Sequence, residues 1–498
     1  MKRKTFFTWM SIAIAGTWLI LVGVLVMRNV PPFPGMTDAG PLSLSEPQRE
    51  WMEIYLKNDK VGYSMNSLAP VENGYVVLDE IFLRLNLMDQ INEVRTVTRA
   101  VLDGNFFLER FTFWIYSGAV TFQVSGVVDG DILEVETGSG DGRSVHRIPL
   151  KARPMLGAGI GHFFKGRTIR IGDTFDFPIF DPSTMAQTSM KITVAASDAV
   201  EIRGVSHEGY RLEADFWGRT LHFWIDRQGV VLRQEGLMGL TMVKSSAAAA
   251  PYGLDAGGGA DYYDIAAVSP RGRIKDPHLV SSLTARLSGV QTAGAVEDHP
   301  FDLNCPRQYY NPEGGILKIR REPVPAAFPY HLPYRGEEPE MVGYMVPEPG
   351  VESDHDTVRN AARRVTGQTE DPVEAAEKLL NWVYRNVEKR PVLSIPSALE
   401  VLETMTGDCN EHAVLLAALM RAVGIPSRIV VGLVYSRDRF YYHAWNEAFL
   451  GHWVSMDATL GQMSADATHI SLIRGGLDRQ AAIIRLMGEI GIEILDYR

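Results

Sequence analysis

The chain has 498 residues, 46% of them hydrophobic and 22% charged, with a formal net charge of −11. That composition is ordinary for a globular protein and leaves room for two or three domains. The acidic balance without a basic stripe argues against a nucleic-acid partner, and two cysteines are too few for a disulfide framework or a four-cysteine zinc site.

Lys2, Arg3 and Lys4 precede a run without charge from Thr5 to Met27. As a helix that run is about 35 Å long, enough to cross a bilayer core of about 30 Å. The basic residues before it, against Arg28 after it, place the N-terminus in the cytoplasm and the body outside it. A cleavable signal peptide is the rival reading, but no small-x-small pattern follows Met27. We therefore expect a single-pass anchor over 1–30 in the inner (cytoplasmic) membrane. Pro31, Pro32 and Pro34 then make an extended spacer.

The stretch 46–246 reads as a β-rich domain. Asn58-Asp59, Asp103-Gly104 and Asp129-Gly130 each separate apolar, β-branched or aromatic runs, and Asp226 to Gly229 offers another turn. These are hairpin signals, so an antiparallel sheet or half-barrel is expected. Phe106, Phe107, Phe113, Trp114, Phe216, Trp217, Phe223 and Trp224 are its candidate core. Ser245 to Ala260 is a low-complexity linker. Residues 261–350 read as a connecting module that adds strands and a short helix over 276–287, then a proline-rich passage.

From 357 to 498 the pattern turns helical, then extended. Asp371-Pro372-Val373-Glu374 caps one helix, on which Val373, Ala376, Leu380, Val383 and Val387 share a face. Ser397-Ala398-Leu399-Glu400 and Asp408-Cys409-Asn410-Glu411 are two more capping boxes. Ala413, Leu416, Leu419, Met420 and Val423 form the stripe of the third helix, which Gly424 and Pro426 stop. Three strands follow, over 428–435, 440–449 and 452–458.

The candidate chemistry lies on these elements. Cys409 opens a helix, where free N–H groups and the helix dipole favour a thiolate and a developing oxyanion. His443 and Asp457 lie equally far from residue 450, beside the turn Leu450-Gly451, so a hairpin centred there brings them to one face. Asp457 then fixes the imidazole tautomer while His443 faces the thiol. His412 is the competing base, one turn after Cys409. Trp445 shares the face of His443 and reads as packing, as does Trp382. Met405 and Thr406 are candidates for a second oxyanion donor. Cys305 could instead bridge Cys409 in an oxidising compartment.

GDCNEHAVLLAALMRAVGIPSR, followed by HAWNEAFLGHWVSMDAT, resembles the transglutaminase-like superfamily over Asp371 to Thr459. The resemblance implies a papain-like α+β fold, with Cys409 as nucleophile, His443 as general acid/base and Asp457 as its orienting carboxylate. Ala458 stands where the family pattern usually has proline. The β-rich region is not covered, and the strand from His469 with the helix after it looks like an extension. No calcium loop is visible, and no cofactor or metal is expected. The whole is an α+β protein: a transmembrane helix, an antiparallel β-rich domain and a papain-like C-terminal domain. The expected function is acyl transfer or hydrolysis at a carboxamide of an extracytoplasmic protein or peptide through a thioester. A non-catalytic envelope scaffold and a peptidoglycan-directed endopeptidase are the alternatives.

Overall fold

The computed structural model describes residues 48–498, apart from 89, 119, 139–142, 166, 217–218, 237–238, 255–260, 291–300, 327–328, 337 and 393–394. The expected anchor over 1–30 and Trp217 lie outside the described residues. Among the described residues no helix is long and apolar enough to cross a membrane.

Residues 48–245 build one antiparallel sheet of 14 strands. Its order is two meanders joined side by side. One runs from Ser144–Pro149 at an edge back to Gln48–Leu56, and the other from Leu240–Ser245 back to Thr174–Asp181 at the opposite edge. The seam is the pairing of Trp51 with Ser245 through Leu56 with Leu240. Hairpins form at all four expected turns. At two of them the aspartate makes the turn: the Asp103 Oδ1 accepts the N–H of Asn105 and Phe107, and the Asp226 Oδ1 those of Gln228 and Val230. Alternation puts Phe111, Phe113 and Ile115 on the same face as Phe122, Val124, Leu133 and Val135. Helix α1 (Gly157–Phe163) crosses between the meanders, and the Phe163 ring meets Phe177 edge-on at 5.0 Å. Of the expected core aromatics Phe106 and Phe113 are buried, and Phe107, Phe216 and Phe223 are partly buried against the same cluster.

Beyond the linker, α2 (Tyr262–Ala266) is capped by Asp261, which accepts the Tyr263 N–H at 2.8 Å. The expected helix over 276–287 is not there. A single 3-10 turn, Pro277–Leu279, leads into the strand Ser282–Ser288. Leu283, Ala285 and Leu287 are buried at every second position, which is a strand period and not a helical one. This strand lies in a four-stranded sheet between Ile316–Arg320 and the final strand of the chain, Gly491–Tyr497. The end of the chain therefore pairs with the segment expected to be a connector.

The C-terminal helices are α3 (Pro339–Gly343), α4 (Asp356–Thr366), α5 (Pro372–Asn386), α6 (Ala398–Thr404) and α7 (Cys409–Ala422). Helix α7 packs on a five-stranded sheet ordered Gln462–Met463, Trp453–Asp457, Arg439–Phe449, Ser427–Ser436, Ile470–Arg474, and α4, α5 and α6 pack on α7. Asp371 caps α5 as expected, and Ala376, Leu380, Val383 and Val387 are buried. The expected box at α6 forms only in half. Ser397 accepts the Glu400 N–H, but the Glu352 carboxylate, not Glu400, takes the Ala398 N–H and the Ser397 hydroxyl. Helix α7 is buried on every side from Glu411 to Arg421, not along one stripe, which is the pattern of a helix at the centre of a domain.

Candidate active site

The nucleophile candidate is set by the start of α7. Asp408 accepts the Asn410 N–H on Oδ1 at 2.8 Å, and Glu411 reaches back to the Asp408 N–H at 2.9 Å, so both halves of the capping box are made. Cys409 is the first residue of the helix and is half-buried as a whole. Gly407 is required just before it, because a Cβ there would stand 2.2 Å from the Glu411 Cβ. Helix α7 packs on the strand that carries His443, and the backbone N–H of Ala444 acts to lower the thiol.

The electrostatics differ from the expectation of a free helix dipole. Burial pushes the Cys409 thiol well above its ordinary value, and the carboxylates of Asp408, Glu411 and Asp457 push it further, against the Ala444 N–H. The cap that builds the helix start thus places two negative charges beside the sulfur. Both cysteines are free, so the expected alternative of a Cys305–Cys409 bridge is not formed. Burial also raises the Cys305 thiol.

His443 and Asp457 meet: Nε2 of the imidazole is 2.7 Å from Oδ2 of the carboxylate, with both residues buried. They do so by a register different from the expected one. Asn446 pairs with Met456 and Phe449 with Trp453, so the hairpin is centred on Gly451 (φ 84°) and not on 450. Leu450, Gly451 and His452 all belong to the turn, closed by the Leu450 N–H on the His452 carbonyl. Asp457 is therefore a diagonal neighbour of His443, not its direct partner. A two-residue displacement preserves the face, which is why the two still meet. Gly432 sits opposite His443 in the next strand, and a Cβ there would lie 1.9 Å from the Ile470 carbonyl oxygen and 2.9 Å from the Trp445 ring.

Asp457 is a saturated acceptor. Its Oδ1 takes the N–H of Thr459 at 2.7 Å and of Leu460 at 2.9 Å. Its Oδ2 takes His443 and also Nε2 of His469 at 3.0 Å. Burial alone would raise this carboxyl, but the two imidazoles overcome that and hold it far below the usual carboxylate range. Because Nε2 of His443 must donate to the carboxylate, the lone pair of the neutral ring lies on Nδ1, the nitrogen left for a thiol.

His469 is the residue that sequence reasoning missed. It is fully buried, with Nδ1 3.2 Å from Oδ1 of Asp466. Its ring stands edge-on to Trp445 at 5.2 Å and to His443 at 5.9 Å. Asp466 and His469, three residues apart just before a strand, were the available signal.

The remaining candidates take lesser places. His412 is fully buried and its Nδ1 is 2.6 Å from the Asp408 carbonyl oxygen, so that nitrogen is committed to the helix start; burial lowers its basicity. Trp445 is buried and stacks on His443 at 6.2 Å, and Trp382 packs partly buried on the helical core. Met405 ends α6 in the left-handed region at φ 49°, and Thr406 and Gly407 form a short strand that pairs with Glu388 and Lys389 and leads to Asp408. On the same face of the sheet as His443, Glu447 is buried between Arg428 at 2.7 Å and Arg474 at 3.1 Å, which ties three strands together. Among the described residues, His443, Asp457 and His469 are a set whose ligand atoms lie within 4.8 Å of one another, as a metal would need. Those same atoms are engaged in the hydrogen bonds just described.

A cysteine, a histidine and an aspartate on a helix and two strands in this order define a class. Residues 359–458 match the family described as the transglutaminase-like superfamily. Among solved structures, a protein of Cytophaga hutchinsonii provisionally described as a cysteine protease is similar at 17% identity, covering 44% of this chain and 87% of that one, with a TM-score of 0.27. A β-barrel-like protein of a domain of unknown function from Brucella abortus is 11% identical over 40% of this chain and 94% of that one, with a TM-score of 0.32. A protein of Parabacteroides distasonis provisionally described as a protease is 12% identical over 70% of this chain and 68% of that one, with a TM-score of 0.20. At TM-scores this low the likenesses carry no weight. No curated protein matches the chain.

Proposed function

We propose that the protein is a cysteine acyltransferase or hydrolase that attacks a carboxamide or peptide bond through a thioester on Cys409. The observation that carries this reading is the hydrogen bond of His443 Nε2 to buried Asp457, which leaves Nδ1 as the basic nitrogen on the strand against which α7 packs. Nδ1 takes the thiol proton as the sulfur attacks the carbonyl carbon. In this reading the N–H of Cys409, at the first position of the helix, serves the oxyanion. Nδ1 then returns the proton to the leaving amine, the C–N bond breaks, and the thioester remains. Water or a second amine resolves it.

The elevated thiol supports a proton transfer concerted with attack more than a standing thiolate, because burial and three carboxylates disfavour the free anion. The substrate in this reading is an extracytoplasmic protein or peptide, reached by a body tethered to the inner membrane through Thr5–Met27, with the β-rich domain of 46–246 presenting it. An electrophilic thiol probe tests the reading. Full-length protein is expected to label at Cys409, with labelling lost in His443→Ala, and acyl-enzyme from a glutamine-bearing protein should appear as a mass increment on the Cys409 peptide. No label at Cys409, or label indifferent to His443, rejects it.

A further inference from the structure

We propose that His469 is a positioning residue: a permanently charged imidazolium, held between Asp457 and Asp466, that neutralises Asp457 and so keeps His443 available as a neutral base. The proposal rests on the reading of Cys409 and His443 given above and assigns a role to a group that reading does not use.

The charge follows from hydrogen-bond partners. Nε2 of His469 faces Oδ2 of Asp457 at 3.0 Å, and Nδ1 faces Oδ1 of Asp466 and the Asp466 carbonyl oxygen, each at 3.2 Å. All three partners are acceptors. A neutral imidazole has one N–H and one lone pair, so in this pocket it would turn a lone pair toward an oxygen. Two N–H donors satisfy both sides, and two N–H donors make the imidazolium. Neither carboxylate is in a position to be the protonated partner. Asp457 already accepts two backbone N–H groups and the His443 ring. Asp466 accepts the Thr468 N–H at 2.8 Å and hydroxyl at 2.6 Å on Oδ1, and the Gln462 amide at 2.9 Å on Oδ2. The ring is fully buried, so the partners hold this state without water. Burial by itself would lower the basicity of His469; the hydrogen bonds to Asp457 and Asp466 reverse this and bring it to about 9.

The consequence concerns His443. A buried carboxylate facing His443 alone at 2.7 Å would direct its whole charge at that ring. An imidazolium on the same oxygen offsets that charge. Three other titratable groups are coupled to Asp457: Cys409 from α7, whose thiol is raised by it, His412 from the same helix, and Lys389 from the short strand before α6. None of them contacts Oδ2, which His443 and His469 share. The chain Asp466–His469–Asp457–His443 thus carries one net negative charge when His443 is neutral, and the carboxylate nearest the base is the one compensated.

The test is exchange of the imidazole C2 hydrogen, followed by mass spectrometry peptide by peptide on full-length protein in detergent from pH 5 to 10, which reads each histidine's titration. In the wild type His469 should stay protonated to about pH 9. Glutamine keeps a donor for Asp457 but no charge, so His469→Gln should move the titration of His443 up by about one pH unit or more, a tenfold change in its proton affinity. Asp466→Asn should lower the titration of His469 itself and shift His443 in the same direction by less. His469 titrating below pH 7 in the wild type overturns the proposal, and that result does not depend on whether any variant folds. A His443 titration unchanged in a folded His469→Gln overturns it too. Thiol-probe labelling run on the same samples separates the two claims: labelling of Cys409 that ignores His443 removes the proposed function, whatever the histidine titrations show.

Discussion

At the residue scale the decisive quantity is how the buried charges divide their hydrogen bonds. Asp457 accepts four, two from backbone and two from imidazoles. Replacing it by asparagine keeps the shape but turns an N–H toward donors. We expect Asp457→Asn to slow Cys409 labelling on the order of 100-fold or more, measured as a second-order rate with an iodoacetamide probe. The same cluster gives a pH dependence of stability. His469 is raised on folding, so its contribution is full below the ordinary histidine value near 6.5 and is lost as pH rises through about 9. Asp457 and Asp466 are lowered on folding, so their contribution is present above the ordinary carboxylate range and is lost as pH falls below it. Wild-type melting temperature should therefore decline between pH 7 and 10 more steeply than that of His469→Gln.

At the scale of single elements, the start of α7 balances two demands. The capping box fixes the helix and the position of Cys409, yet its carboxylates raise the thiol. Glutamine can fill the third helical position of a capping box without charge. Glu411→Gln should thus leave folding nearly intact and let Cys409 label at lower pH than in the wild type, because one anion beside the sulfur is gone. Labelling that moves to higher pH would contradict the assignment of Glu411 as a raising influence. Gly407→Ala must push backbone against the Glu411 side chain and is expected to cost about 1–3 kcal/mol, read by denaturant unfolding.

Elements also show where sequence reasoning reached and where it stopped. Capping is local, so Asp371 and Asp408 announced their helices within a few residues. The meeting of His443 with Asp457 was legible because parity along a strand survives an error in register: the turn took up Leu450, Gly451 and His452, and the expected pairing was off by two residues without changing the face. The strand Ser282–Ser288 was misread as helix although Leu283, Ala285 and Leu287 alternate, because one of its partners, Gly491–Tyr497, lies some two hundred residues on and the other, Ile316–Arg320, is not the next segment of the chain. His469 was missed for the same reason. Its two carboxylate partners come from one strand end and one loop, and only the folded chain shows that they face the same ring.

At the scale of the molecule, the sheet of 48–245 and the helical region touch at particular places. Ile395, just before α6, is buried in the core cluster of the large sheet. Helix α2 joins three parts. Tyr262, Tyr263 and Ile265 pack on Ile54, Leu56, Val61, Leu85 and Leu87 of the sheet, the Tyr263 hydroxyl donates to Asp408 at 3.1 Å, and Asp264 accepts the Tyr441 hydroxyl at 2.9 Å. Helix α2, packed on the large sheet, thus reaches the residue before Cys409 through the Tyr263 hydroxyl. Tyr263→Phe removes that hydrogen bond and should cost about 0.5–1.5 kcal/mol, seen as a lower midpoint of denaturant unfolding, while Asp408 still caps α7.

The central claim is that His443 activates Cys409, and one measurement reaches it directly: the rate at which a carboxamide-mimicking electrophile labels Cys409 in full-length protein, wild type against His443→Ala, with Cys305 as the internal reference thiol. The account predicts fast labelling at Cys409, slow labelling at Cys305, and a fall of about 100-fold or more at Cys409 when His443 is removed. Equal rates at the two cysteines, or a Cys409 rate untouched by the substitution, would contradict it.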